Sequence, residues 1–98
     1  MNIKITVVIP TYKRPRLLIN CLNALALQTL PKEAFEVIVV SDGPDQETVQ
    51  AVNQWVSPTG FQLRLLNSPW KKGPAYARNY GWIRAESTLI AFTDDDCL

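Results

Sequence analysis

Histidine is absent from this 98-residue sequence, which removes the commonest general base and the commonest zinc ligand of proteins. The two cysteines, Cys21 and Cys97, lack the spacing of metal ligands, and a single pair indicates no disulfide framework. Any acid–base or metal chemistry is therefore expected to depend on carboxylates.

The sequence also lacks an excess of charge and a long apolar run. Lys and Arg total 10 against 9 Asp and Glu, a formal net charge of +1 that gives no support to a nucleic-acid partner. No apolar stretch approaches the roughly 18–20 residues that span a bilayer, and no signal peptide precedes the first predicted strand. We therefore expect one small domain over residues 1–98 in a reduced, cytoplasmic setting. The P-loop signature is absent, which excludes that class of enzyme.

Short apolar runs and amphipathic segments alternate along the chain. The runs predict strands over Ile3–Ile9 (ended by Pro10), Phe35–Val40, Phe61–Leu66 and Thr88–Thr93. The segments predict helices over Pro15–Gln28, from an Asp45 cap to about Val56 before a break at Ser57–Gly60, and from Pro74 to about Ala85. This β-α alternation predicts an α/β fold, a Rossmann-like open parallel sheet with helices on both faces.

Polar residues follow three of the predicted strands, where ligands of open parallel sheets bind. Tyr12 offers a flat face for a nucleotide base, and Asp42 can accept from a base N–H or a ribose hydroxyl. Ordinary structural roles stay open for two of these stretches. Thr11 can cap a helix, and Asp42-Gly43 is a common turn sequence.

The last predicted strand is followed by three adjacent carboxylates, Asp94, Asp95 and Asp96. On an extended backbone Asp94 and Asp96 point the same way, and two such charges about 4 Å apart repel by about 1 kcal/mol in water. Oxygen ligands suit Mg²⁺ or Mn²⁺, although a solvated acidic turn stays open. Arg78 lies near the positive end of its predicted helix, where a bound diphosphate would make a cation favourable; packing along the sheet is the alternative.

Together these stretches resemble the nucleotide-binding half of a family 2 glycosyltransferase with the GT-A fold. The four matching motifs, in order and covering nearly the whole chain, are Val7–Arg14, Val39–Gly43, Gly73–Gly81 and Phe92–Asp96. Each motif is weak alone, and the four at this spacing are specific.

The resemblance implies the following roles. Thr11, Tyr12 and Asp42 hold the base, Arg78 and Asp94 contact the nucleotide, and Asp96 with Asp94 ligates Mn²⁺ or Mg²⁺. The full set of expected nucleotide contacts is Pro10, Thr11, Tyr12, Arg14, Asp42, Gly43, Arg78, Asp94 and Asp95.

The implied activity is inverting transfer from a nucleotide-diphospho-sugar, expected to be a UDP-sugar, to an acceptor hydroxyl. The catalytic base and the site for a glycan, lipid-linked or protein acceptor are expected beyond Leu98, so the chain is expected to be truncated and inactive alone. Membrane association of a longer protein stays open.

Two other classes of protein share some of these sequence features. A non-catalytic fragment or module that binds a nucleotide or a partner stays open. A phosphoacceptor receiver domain is disfavoured, because it needs an acidic pair where this sequence has Pro10-Thr11-Tyr12.

Overall fold

A computed structural model describes residues 5–27, 34–59, 62–69, 72–85, 87 and 89–95. Strands and helices alternate in the order expected from the sequence. The elements are β1 (Ile5–Thr11), α1 (Pro15–Ala26), β2 (Phe35–Ser41), α2 (Gln46–Thr59), β3 (Leu63–Asn67), α3 (Pro74–Ile83) and β4 (Ile90–Phe92). Within this described part, no helix is both long enough and apolar enough to cross a membrane.

The strands form one sheet in the order β3-β2-β1-β4, and each neighbouring pair is parallel. The predicted open parallel sheet is therefore confirmed. The chain adds β2 and β3 on one side of β1, and α3 then carries it back to the other side, where β4 pairs with β1. The strand order thus reverses between β1 and β4, the position at which open α/β sheets bind ligands.

Alternate residues of the central strands bury themselves on opposite faces of the sheet, as expected for strands covered on both sides. One face packs against α1 and α2, whose buried side chains include Leu18, Leu22 and Val52. The other face packs against α3 through Val8, Ile38, Val40 and Ala77. The helices therefore cover both faces, as predicted.

Pro10 does not end β1, contrary to the sequence prediction, and instead pairs with Val40 inside the ladder. The hydrogen-bond alternation explains why a proline fits here. The Thr6 N–H donates to the Leu89 carbonyl (2.9 Å), and the Val8 carbonyl accepts from the Thr93 N–H (3.1 Å). Because backbone groups of a strand alternate between its two neighbours, Pro10 also faces the β4 side. It lies beyond the last residue of β4, so its missing N–H breaks no ladder bond.

Other boundaries also differ from the prediction. The expected break at Ser57 is wrong, because the backbone of α2 continues to Thr59. A proline in the last turn removes one backbone bond and leaves the earlier turns intact.

Helix α1 ends at Ala26, and the Leu27 N–H that follows donates to the Ala24 carbonyl (3.2 Å). Helix α3 ends at Ile83, two residues before its predicted end. Strand β3 runs one residue past its predicted end, and β4 is limited to Ile90–Phe92.

Candidate functional site

The carboxyl ends of β1, β2 and β4 meet at one edge of the sheet. The loops after β1 and β2 are joined directly, because the Asp42 N–H donates to the Thr11 carbonyl (2.8 Å). The turn after β2 is closed by the Ser41 hydroxyl, which donates to the Gly43 carbonyl (2.5 Å), and Gly43 has a φ of 107° that favours glycine. The predicted contacts Pro10 and Gly43 are buried within this framework.

The ends of β1 and β4 are joined through Asp95, whose residue is 1% exposed. Its Oδ2 accepts from the Thr11 hydroxyl (2.8 Å) and lies 3.1 Å from Arg14 Nε. A buried carboxylate is tolerated where such partners replace its hydration. The structure therefore brings together three of the predicted nucleotide contacts, but Asp95 is directed at the protein.

Asp42 holds the start of α3. Its Oδ1 accepts from the Lys72 N–H (2.8 Å) and the Gly73 N–H (3.2 Å), and its Oδ2 accepts from the Gly73 N–H (2.9 Å). Gly73 is the N-cap of α3 and has a φ of 99°, and no side chain of the helix itself caps this end. The carboxylate predicted to meet the base thus supports the helix that carries Arg78.

Arg78 and Asp94 line a single cavity of about 340 Å³ between α3 and the end of β4, together with Phe92 and Thr93. The Arg78 side chain is half-buried and Asp94 is exposed. A guanidinium and a carboxylate sharing one cavity at the switch point suit a ligand with both anionic and cation-bound parts.

Asp45 is a residue whose second role the sequence did not reveal. It was predicted only as a helix cap, and its Oδ1 does accept from the Thr48 N–H (3.3 Å). Its Oδ2 also accepts from the Thr48 hydroxyl (2.6 Å) and from the Lys13 N–H (2.5 Å), in the loop after β1. No sequence signal marks the link to Lys13, because it joins residues 32 positions apart.

The electrostatics of Asp45 follow from these contacts. Burial raises the pKa of its carboxyl, but the hydrogen bonds from Thr48 and Lys13 and the Lys13 charge outweigh burial, so the pKa lies below its ordinary value. Ionised Asp45 therefore stabilises the fold above its unfolded-state pKa, and this contribution is lost as pH falls through the lower folded-state pKa.

The fit of the site to a divalent cation depends on Asp94. Among the described residues, no group of three Asp, Glu or Cys side chains is arranged to hold a metal ion. The predicted ligand Asp96 lies outside the described residues. Asp94 nevertheless offers an exposed carboxylate beside Arg78, and sites of the Mg²⁺ type use one or two protein carboxylates, completed by water and phosphate. The described residues thus fit a cation that is shared with a phosphate ligand.

The chain is similar to known proteins in both sequence and structure. The chain is 34% identical over 93 residues to the glycosyltransferase AglE of Haloferax volcanii, covering 95% of this chain and 30% of AglE. The structure superposes with a TM-score of 0.90 on a mannosyltransferase of Pyrobaculum calidifontis in complex with GDP-Man and Mn²⁺, at 28% identity, over 100% of this chain and 29% of that one. It superposes with a TM-score of 0.85 on residues 1–349 of Staphylococcus aureus TarS in complex with UDP-GlcNAc, at 33% identity, over 96% of this chain and 27% of that one.

The chain thus spans less than a third of the length of these relatives. The described fold, a parallel four-stranded sheet with helices, matches that of GT-A glycosyltransferases. The family model for glycosyl transferase family 2 matches residues 6–98, nearly the whole sequence, and the chain belongs to that family.

Proposed function

We propose that this chain forms the donor-nucleotide and metal site of an inverting glycosyltransferase that uses a nucleotide-diphospho-sugar, with UDP as the nucleotide. The observation that carries the proposal is the cavity at the β1/β4 switch point that Arg78 and Asp94 line together. Two similar structures support the donor class, because one is in complex with UDP-GlcNAc and the other with GDP-Man and Mn²⁺.

The proposed roles divide along the site. Tyr12 stacks on the base, and Asp42 accepts from a base N–H or a ribose hydroxyl. The Asp42 carboxylate also accepts from the Lys72 and Gly73 backbone N–H groups, which keeps α3 in place. Arg78 neutralises charge on the diphosphate, and the position of α3 directs it into the cavity. Asp94, together with Asp96, would hold a Mn²⁺ or Mg²⁺ ion. Such an ion acts as a Lewis acid that stabilises the negative charge of the leaving diphosphate.

The proposal extends to parts of the reaction that lie outside this chain. The catalytic base and the acceptor site stay predicted beyond Leu98, and a cytoplasmic location is part of the same proposal. A module that binds the nucleotide without transferring sugar would use the same cavity. Without the predicted base, the chain alone should not turn over in either case, so an assay of sugar transfer by the intact protein separates the two.

Thermal unfolding with UDP, GDP, dTDP or CMP, each with and without Mn²⁺, tests the proposed site. A ligand at about 100 times its Kd stabilises by about 2.7 kcal/mol, so UDP with Mn²⁺ should raise the Tm by several degrees. Arg78→Gln should abolish the shift. Arg84→Gln is the matched control, because it removes the same charge where α3 ends, outside the Arg78–Asp94 cavity.

Two outcomes would contradict this assignment. One is a cooperative transition that none of the four nucleotides shifts. The other is an equal UDP shift in the Arg78→Gln and Arg84→Gln variants, since the diphosphate would then bind away from the cavity.

A further inference from the structure

The loop after β1 contains an unfavourable backbone conformation. Among the residues that the structure describes, Lys13 is the one non-glycine residue with a positive φ, of 53°. The left-handed region crowds the Cβ of an L-residue, so it persists only where the surroundings hold it. Lys13 lies directly after Tyr12, the side chain proposed to stack on the base, and its Nζ is 5.3 Å from the centre of the Tyr12 ring.

Asp45 supplies the contact that holds Lys13. Its residue is 7% exposed, and its Oδ2 accepts from the Lys13 N–H at 2.5 Å. The same oxygen accepts from the Thr48 hydroxyl at 2.6 Å, and Oδ1 accepts from the Thr48 N–H at 3.3 Å, so two separate contacts from the first turn of α2 hold the carboxylate. The loop is thereby tied to a helix that is distant in sequence.

The rest of the loop is fixed at both ends. Thr11 and Arg14 both contact Asp95, and Arg14 is the N-cap residue of α1. Between these fixed ends, the backbone at Lys13 sets the direction in which Tyr12 leaves the chain. A change of φ at this position would therefore turn Tyr12 relative to the cavity.

We infer that Asp45 is a positioning residue of the nucleotide site, which holds Lys13 in the left-handed conformation and so presents Tyr12 to the base. The inference rests on the proposed function, because the direction of Tyr12 matters to binding only if the base stacks there. In this role Asp45 acts on the nucleotide through its contact with Lys13.

Asp45 makes more hydrogen bonds than a helix cap requires. Capping requires one oxygen for the Thr48 N–H, whereas Lys13 uses the second oxygen. Asp45→Ser keeps one capping oxygen and removes the second. Thr48→Val is the matched control, because it removes the hydroxyl bond to the same carboxylate and leaves the Lys13 contact in place.

Two measurements on the chain test the inference. In Asp45→Ser, NMR should show exchange of the Lys13 amide hydrogen accelerated by about tenfold or more, because its acceptor is lost. The Kd for UDP with Mn²⁺ should rise about tenfold, the factor expected when one charge-assisted hydrogen bond is lost. Thr48→Val should change the Kd by no more than about twofold.

Rescue by glycine decides the mechanism. Glycine adopts positive φ without a steric penalty, so Lys13→Gly added to Asp45→Ser should restore most of the lost affinity. An unchanged Lys13 exchange rate in Asp45→Ser would overturn the inference, as would a double variant that stays as weak as Asp45→Ser. If no nucleotide binds the unmodified chain, the proposed function fails, and the exchange rate of Lys13 still decides whether Asp45 holds the loop.

Discussion

At the scale of single residues, adjacent carboxylates of the same motif have different surroundings. Asp95 is 1% exposed and its Oδ2 contacts Thr11 and Arg14, whereas Asp94 is exposed and lines the cavity with Arg78. A carboxylate is buried only where partners compensate for lost hydration. Asp95 therefore joins β1 to the end of β4, and Asp94 is the neighbour placed to meet a ligand.

The cost of removing these side chains should differ accordingly. Asp95→Ala should lower the free energy of unfolding by about 1–3 kcal/mol, because the Thr11 hydroxyl, in a residue 3% exposed, loses its acceptor. Arg14→Ala should cost less than about 1 kcal/mol, because the Arg14 side chain is 55% exposed and water screens the ion pair. Urea denaturation measures both.

Asp94→Ala serves as the control, since an exposed carboxylate should change stability by no more than about 0.5 kcal/mol. Equal losses for Asp95→Ala and Asp94→Ala would show that the buried contacts to Thr11 do not hold the end of β4.

At the scale of elements, the distance between α3 and the sheet sets the position of Arg78. The small residues Ala77 and Gly81 face the sheet, and a Cβ built at Gly81 would lie 2.8 Å from both Val8 Cγ1 and Val40 Cγ2. Real Cβ contacts essentially never come this close, and β-branched valines have few rotamers with which to retreat. Gly81 is thus required by the close packing of this helix.

Gly81→Ala should therefore destabilise the protein, although alanine is the better helix former by about 1 kcal/mol. Overpacking costs about 1–3 kcal/mol and should exceed that gain. Affinity for UDP with Mn²⁺ should also fall, because Arg78 lies one turn earlier on the displaced helix. Urea denaturation and nucleotide titration give the two readouts.

Asn79→Ala on the exposed side of α3 is the control, and it should be neutral or slightly stabilising. A more stable Gly81→Ala protein would mean that the helix does not approach the sheet as closely as described.

The elements that the sequence predicted correctly have strong local signals. The β-branched runs of β1 and β2 favour buried strands. The spacing of Leu18, Cys21 and Leu22 favours one face of a helix. The misjudged positions depend on context instead. Pro10 fits β1 because β4 is short, which no local pattern reveals.

For the candidate site, the sequence likewise predicted the loops but not the hydrogen bonds that join them. The motifs located its loops, because strand ends of a parallel sheet share one edge. The bonds that organise those loops are distant in sequence. Thr11 meets Asp95 across 84 positions and Lys13 meets Asp45 across 32, so only the folded chain shows them.

At the scale of the whole molecule, the strand order that creates the site also places β4 at the edge of the sheet. Around this edge Trp82, Ile83, Leu89 and Phe92 are exposed by 49–68%, and a cavity of about 470 Å³ lies between the end of α3 and β4. Unpaired edges beside exposed apolar side chains promote association between chains. The same topology thus forms the candidate site and leaves exposed apolar side chains beside β4, where we expect chains to associate.

We expect the apparent mass of the chain in sedimentation experiments to rise with concentration. A double variant that carries Ile83→Lys and Leu89→Lys should stay near the monomer mass. Two lysines place charge beside the β4 edge, where desolvating them would oppose strand pairing. Leu27→Lys is the matched control, because Leu27 is an 84% exposed apolar residue at the end of α1. If Leu27→Lys suppressed association as strongly as the double variant, general solubility rather than the β4 edge would be the cause, and β4 would not be the surface through which the chains meet.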